Sequence, residues 1–317
     1  MSAEAAERRV RHVTVAADRA GQRLDNFLIG MLDGVPRALV YRLVRTGQVR
    51  VNGSRAKPMR KLKPGDEVRI PPVAVQMPDK GSVPDGLVGE IEARIIHGDR
   101  DLVVLDKPAG LAIHGGSGLS YGLMDAVARI NPDWRPVHRL DRPTSGLLVL
   151  GCHHQAVVAL QRAFAQREVD KRYLALLQGR LPEEKLRVDA PLKKIRDASG
   201  QRRIIVAEDG QAAVSTFRCL EYLDAYSFVE VHIETGRTHQ IRAHARHIGH
   251  PVAGDELYNE VSPPHGLRRL FLHAHYLGLP WPEERVFNAS LPEALGELLD
   301  QLRVGAFQSV QHPSRNS

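Results

Sequence analysis

The chain has 317 residues, with 44 Lys+Arg against 37 Asp+Glu, a net charge of +7, and 43% hydrophobic residues. This balance excludes a chain disordered throughout, and the length suits one large domain with a smaller one attached. Two cysteines without CxxC spacing exclude a disulfide scaffold, no apolar run approaches a membrane span, and the charged start lacks a secretory core, so a cytoplasmic protein is expected.

The basicity is local. Residues 37–69 hold ten Lys and Arg against Asp66 and Glu67, a net +8, and the rest of the chain sums to about −1. Such a confined excess is the footprint of a nucleic-acid-binding module. The pattern around it is that of a folded unit. Leu24, Phe27, Leu28, Met31 and Leu32 repeat at helical spacing, and Pro36 suits the start of a second helix through Leu39, Val40, Leu43 and Val44 that Gly47 ends. A short strand, Val49-Arg50-Val51, enters an Asn52-Gly53 turn, and another, Val68-Arg69-Ile70, follows the turn at 63–66. Arg37, Arg42, Arg45 and Arg50 are the candidate RNA contacts. Phe27 and Tyr41 are the nearby aromatics, too few for a stacking platform, so phosphates and folded RNA shape are the expected targets. The bland alternative is a solvated basic face without a ligand. RLDNFL, the helix carrying Arg42 and Arg45, VRVNG and LKPGDEVRI together resemble the S4 RNA-binding domain, over residues 21–72.

Residues 73–90, with three glycines and two prolines and no periodicity, read as a linker, and residues 1–11 and 308–317 as tails. Beyond 91, the segments 102–105 and 146–150 read as buried strands, 154–166 as an amphipathic helix, and 228–233 as an alternating strand. The order is not a regular βαβ series. The expected fold class is α+β: a small RNA-binding domain, and a larger catalytic domain at 91–307 with a mixed, mostly antiparallel sheet flanked by helices.

The densest polar constellation is His138-Arg139-Leu140-Asp141-Arg142-Pro143-Thr144-Ser145-Gly146. An Asp between two arginines, in a turn feeding an apolar strand, is favoured in its ionised form and is available as nucleophile or base. Alone, it could equally cap a turn. The run HRLDRPTSG resembles the catalytic motif of pseudouridine synthases of the RluA/RluC/RluD type. DKPAG (106–110), KRYLA (171–175) and TGRTHQIR (235–242), followed by Gly249-His250-Pro251, agree in order and spacing. The run KPAGLAIHGGSGLSYG and the opening GVPRALVYRLVRTGQVRVNG lie closest to the RluC group, which acts on 23S ribosomal RNA. Pro143 departs from the family, which usually carries an acidic residue there, and residues 280–288 look like a trimmed hairpin.

The resemblance implies an isomerase without cofactor or metal that detaches uracil from C1′ of an RNA uridine and rejoins it through C5. It implies Asp141 as the catalytic carboxylate, acting on C1′ or on the C2′ proton, with Arg242 as its salt-bridge partner. It also implies Tyr173 stacked on the uracil; Arg139, beside the aspartate, is a candidate to fill the vacated base stack. Thr238 is the expected cap of the helix bearing Arg242. His239, His244, His247 and His250 crowd one helix, but without HExxH spacing they read as structural or RNA-facing, not as zinc ligands. The run 115–118 reads as a loop near RNA; no P-loop lysine follows it. The expected partner is ribosomal RNA, and nothing demands more than a monomer. Two alternatives stay open: a family member directed at other uridines, in the large subunit or tRNA, and an inactive assembly factor that binds ribosomal RNA.

Overall fold

The computed structural model describes residues 10–32, 35, 37–73, 83–115, 121–197 and 200–311. The chain divides into two compact units, residues 1–81 and 82–317.

The small unit is a four-stranded antiparallel sheet with two helices: β1 (Arg11–Thr14), α1 (Leu24–Met31), α2 (Arg37–Arg45), β2 (Arg50–Val51), β3 (Ser54–Arg55) and β4 (Glu67–Ile70), in sheet order β1-β4-β2-β3. The helical repeat foreseen in the sequence becomes its core: Leu24, Phe27, Leu28, Val40, Leu43 and Val44 pack on Val51, Val68 and Ile70, all buried. Each such side chain contributes about 1.5–3 kcal/mol of burial. Gly47, at φ +74°, ends α2 in a Schellman motif: its N–H donates to the Val44 carbonyl and that of Gln48 to the Leu43 carbonyl. Asn52 and Gly53 both have positive φ, as a two-residue hairpin turn requires. Asp25, buried at the start of α1, accepts from Arg23 and from the Tyr41 hydroxyl at 2.8 Å, which ties α1 to α2. β1 lies where a tail was expected up to residue 11; Arg11 pairs with Ile70. Pro36 and the Arg37 side chain lie outside the described residues.

The large unit contains α3 (Asp85–Ala93), β5 (Ile95–Gly98), β6 (Leu102–Lys107), α4 (Leu123–Ile130), β7 (Arg135–Pro136), β8 (Ser145–Gly151), α5 (His154–Ala165), β9 (Asp170–Gln178) and β10 (Lys185–Asp189). There follow β11 (Leu192–Arg196), β12 (Arg202–Val206), β13 (Val214–Leu223), β14 (Tyr226–Ile233), α6 (Gln240–His247), β15 (Leu272–Leu279), β16 (Arg285–Asn288) and α7 (Glu293–Gln311). Among the described residues the main sheet has the order β10-β13-β14-β9-β15-β8-β6-β5, with β16 on β15 and β7 on β8. β15 and β8 run parallel and the other pairs antiparallel, so the mixed, mostly antiparallel sheet is as expected. α3 occupies part of the stretch read as a linker. Its glycines, Gly86 and Gly89, weaken the helical signal, but Ile91 is buried in the main core and Leu87 and Val88 pack against it.

Leu102–Leu105 of β6 and Leu147–Leu150 of β8 are apolar without alternation because both faces are covered. Val103, Leu105, Leu148 and Leu150 enter the core beneath α4, whereas Leu102, Val104, Leu147 and Val149 pack with Leu160 and Ala163 of α5. β8 enters this core through Gly146, at φ +110°, where a Cβ would stand 2.2 Å from the Ala274 carbonyl oxygen on β15. The loop before β8 is thereby pinned to the middle of the sheet.

Candidate active site

That loop carries Asp141. Its backbone forms a turn, Thr144 N–H donating to the Asp141 carbonyl at 3.1 Å, with Pro143 in the third position. The turn is strapped to the segment after β6. Gly110 N–H donates to the Arg142 carbonyl at 2.8 Å, and the Arg142 guanidinium returns a bond to the Gly110 carbonyl at 2.9 Å. Lys107, fully buried, donates to the carbonyls of Pro108 and Leu111 at 2.8 Å and of Arg142 at 3.3 Å; its burial lowers the ammonium pKa to about 7. His138 also serves the fold: its Nε2 accepts the Val149 N–H and its ring stacks on Phe164, and burial keeps it neutral by lowering its pKa far below the usual imidazole value.

The flanking arginines expected to create the positive environment do not pair with Asp141. Arg142 is used as a backbone strap, and Arg139 is exposed at the cleft. The cation comes instead from α6. Arg242 Nη1 lies 3.8 Å from Asp141 Oδ2, and the arginine is itself clamped by buried Asp255, with Nε–Oδ2 and Nη2–Oδ1 both at 2.7 Å. Asp255 Oδ1 also accepts the N–H groups of Leu257 and Tyr258. Burial works against the guanidinium charge, but the hydrogen bonds and charge of Asp255, with that of Asp141, outweigh it and raise the Arg242 pKa. The result is a buried, permanently charged group with one edge held and the other turned to Asp141.

α6 is positioned without the expected Thr238 cap. The residue before the helix is His239, in the left-handed region at φ +52°, and no side chain caps the helix there. Gln240 anchors its first turn: its amide donates to the Val214 carbonyl and Ser215 Oγ, and its carbonyl accepts from the Thr235 hydroxyl and the Arg237 N–H. The turn thus points His239 at Asp141, Nε2 to Oδ2 3.9 Å, with Nδ1 2.9 Å from the Tyr258 hydroxyl. That hydroxyl also accepts the Ile204 N–H. Burial lowers the His239 pKa, partly offset by Asp141, and favours the neutral ring.

Tyr173 stands on β9, between Val231 of β14 and Ala274 of β15. It is 9% exposed, and burial together with the Asp141 charge raises its pKa, so the phenol stays protonated. Arg139, Asp141, Tyr173, His239 and Arg242 line one open cleft. The four residues foreseen for the large domain are therefore together. Arg42, Arg45 and Arg50 lie exposed on the small unit instead, where Asp66 is committed to Asn52 and the Lys63 N–H, and Glu67 to His12. Asp255, His239 and Tyr258 were not foreseen as site residues. The four clustered histidines disperse, His244 to Ser215 and the Ala190 carbonyl and His250 to the Gln178 carbonyl; among the described residues no three His, Cys, Asp or Glu form a metal-binding group. The glycine run at 116–118 lies outside the described residues.

A turn-borne carboxylate, an arginine clamped beside it and a buried tyrosine thus share one cleft within a mixed sheet. The RNA pseudouridylate synthase family matches residues 101–247 and the S4 domain residues 22–68. The chain is 40% identical to ribosomal large subunit pseudouridine synthase C of Pasteurella multocida over 307 residues, covering 93% of this chain and 94% of that protein. It is 40% identical to the protein of the same name in Escherichia coli strain K12 over 309 residues, covering 93% and 97%. Among solved structures it resembles human RNA pseudouridylate synthase domain containing 4, with a TM-score of 0.59 and 26% identity over 69% of this chain and 96% of that one. The chain belongs to the RNA pseudouridine synthase family, with an S4 domain near its N-terminus. Among the described residues no helix is long and apolar enough to cross a membrane.

Proposed function

We propose that this enzyme converts uridines of large-subunit ribosomal RNA to pseudouridine, with Asp141 as its catalytic carboxylate. The observation that carries the chemistry is Asp141 facing clamped Arg242 in the cleft that also holds Tyr173. The full-length relatives supply the substrate class. Asp141 begins the reaction by adding to C1′ or by taking the C2′ proton. Both routes need a carboxylate largely shielded from water, and the Arg242 guanidinium is the cation that faces it. The N1–C1′ bond breaks, the uracil turns, C5 bonds to C1′, and the C5 proton is lost as N1 gains one, so no oxidant or metal enters the balance. Tyr173 gives the ring a flat apolar support, and its protonated hydroxyl is unsuited to act as a base at neutral pH. Arg139 fills the space of the extruded nucleotide.

The S4-like module, at 21–72, supplies phosphate-based affinity, and the catalytic domain, at 91–307, the bond changes; the enzyme works as a cytoplasmic monomer. Mapping pseudouridines in 23S RNA from a strain deleted for this protein tests the reading. Specific sites should be lost on deletion and regained on complementation. An unchanged 23S map, or losses confined to tRNA, would refute the proposed substrate.

A further inference from the structure

Beside the uridine cleft lies a second depression that the chemistry above does not use. It shares Arg139, Tyr173, Ile233 and Arg237 with the first, so the two are continuous. Its walls add Lys171 and Arg167, and the single acidic residue lining it, Glu234, lies 3.4 Å from Arg187. Arg139, Arg167 and Arg237 are exposed, as long side chains on a wet surface usually are. Lys171 is different. It is 6% exposed, on the same face of β9 as Tyr173 two residues on. Among the described residues its ammonium has no hydrogen-bond acceptor and no carboxylate within ion-pairing distance, and its one assigned contact is the Phe164 ring, 5.9 Å away. Its Nζ keeps some access to solvent from the depression, and a cation this far into the pocket without a carboxylate partner is completed by an anion entering from that side. The contrast with Lys107, fully buried and satisfied by three carbonyls, shows what a structural lysine looks like in this protein.

We propose that Lys171, with Arg139, Arg167 and Arg237 around it, binds a phosphodiester of the RNA backbone adjoining the uridine held over Tyr173. The anion must belong to the same strand as the base, because the depression opens directly into the uridine cleft. Burial already lowers the Lys171 pKa, and a phosphate at hydrogen-bond distance would reverse that and hold it charged. Its role is positioning: it fixes the backbone so that C1′ is presented to Asp141, and takes no part in bond changes. The proposal rests on the uridine-isomerase reading for the identity of the neighbouring base.

The test uses the full chain and a nine-nucleotide single-stranded RNA with one central uridine, in which single phosphates are replaced by uncharged methylphosphonates. Binding is followed by fluorescence anisotropy. Replacing one of the two phosphates next to the uridine should weaken binding to the unaltered protein about tenfold, the scale of one charge-assisted contact, and replacement three nucleotides away should not. Lys171→Met should lose about tenfold on all-phosphate RNA and little more on the sensitive methylphosphonate, and Lys171→Arg should retain most of the affinity. Equal losses for Lys171→Met on every RNA, or no position-specific loss in the unaltered protein, would overturn the subsite; the second outcome needs no variant that folds. Failure of the isomerase reading would show separately, as an unchanged 23S pseudouridine map.

Discussion

Asp255 touches no substrate, yet the geometry makes it the fixed point of the site. In Asp255→Asn, the amide oxygen can keep the place of Oδ1, with its bonds from Arg242 Nη2 and the N–H groups of Leu257 and Tyr258. The amide nitrogen then faces Arg242 Nε at the 2.7 Å where Oδ2 now accepts, donor against donor. Breaking one partner of a buried ion pair costs about 3–5 kcal/mol. For a unit of this size that lowers the melting temperature by roughly 10 °C. Arg242 also loses its hold beside Asp141, where two unit charges 3.8 Å apart at an effective dielectric near 20 interact by about 4 kcal/mol. A displacement of about 1 Å there should cost roughly 10²-fold in the bond-breaking step. The assay is single-turnover release of tritium from RNA labelled at uracil C5, since that hydrogen leaves as the new bond forms, with a melting curve on the same sample. A lowered melting temperature with an unchanged rate would refute the positioning argument; neither changing would refute the clamp itself.

Gly146→Ala should lower stability by at least about 2 kcal/mol in urea unfolding, because φ is +110° and the new Cβ meets the Ala274 carbonyl. Neutralising Arg42, Arg45 and Arg50 together should weaken RNA binding and reduce its log–log salt slope by roughly two to three; an unchanged slope would remove the small unit from the interface. His273, fully buried between Ser145 Oγ and the Ala289 carbonyl, has its pKa pushed down to about 4 by burial. The unfolded chain therefore binds a proton that the folded chain refuses, and this contribution is intact above about pH 6.5 and lost as pH falls towards 4, up to about 3 kcal/mol. His273→Gln should show a shallower loss of urea midpoint between pH 7.5 and 4.5 than the unaltered protein.

Much of this site was legible as sequence because its chemistry sits in contiguous runs: HRLD brings Arg139 and Asp141, KRY brings Tyr173, and HQIR brings Arg242. What was not legible depends on contacts across the fold. Asp255 is 13 residues from Arg242 and carries no local pattern, although a buried arginine facing one carboxylate already implies a second counter-charge. The arginines flanking Asp141 in sequence suggested pairing, but consecutive residues of a turn point apart, and Arg142 ends as a strap. Thr238 has the chemistry of a cap but not the position; left-handed His239 separates it from α6. α3 and β1 were missed because glycines dilute one and the other is a short strand whose partner lies more than fifty residues away.

Asp141, 3.8 Å from the Arg242 guanidinium, is the residue proposed to start uridine isomerisation. Single-turnover reactions of the unaltered protein and Asp141→Asn on unmodified 23S RNA, with RNA affinity measured in parallel, address that role directly. Pseudouridine should form at defined sites with the unaltered protein, and none with Asp141→Asn at undiminished affinity. Pseudouridine formed by Asp141→Asn would contradict that role.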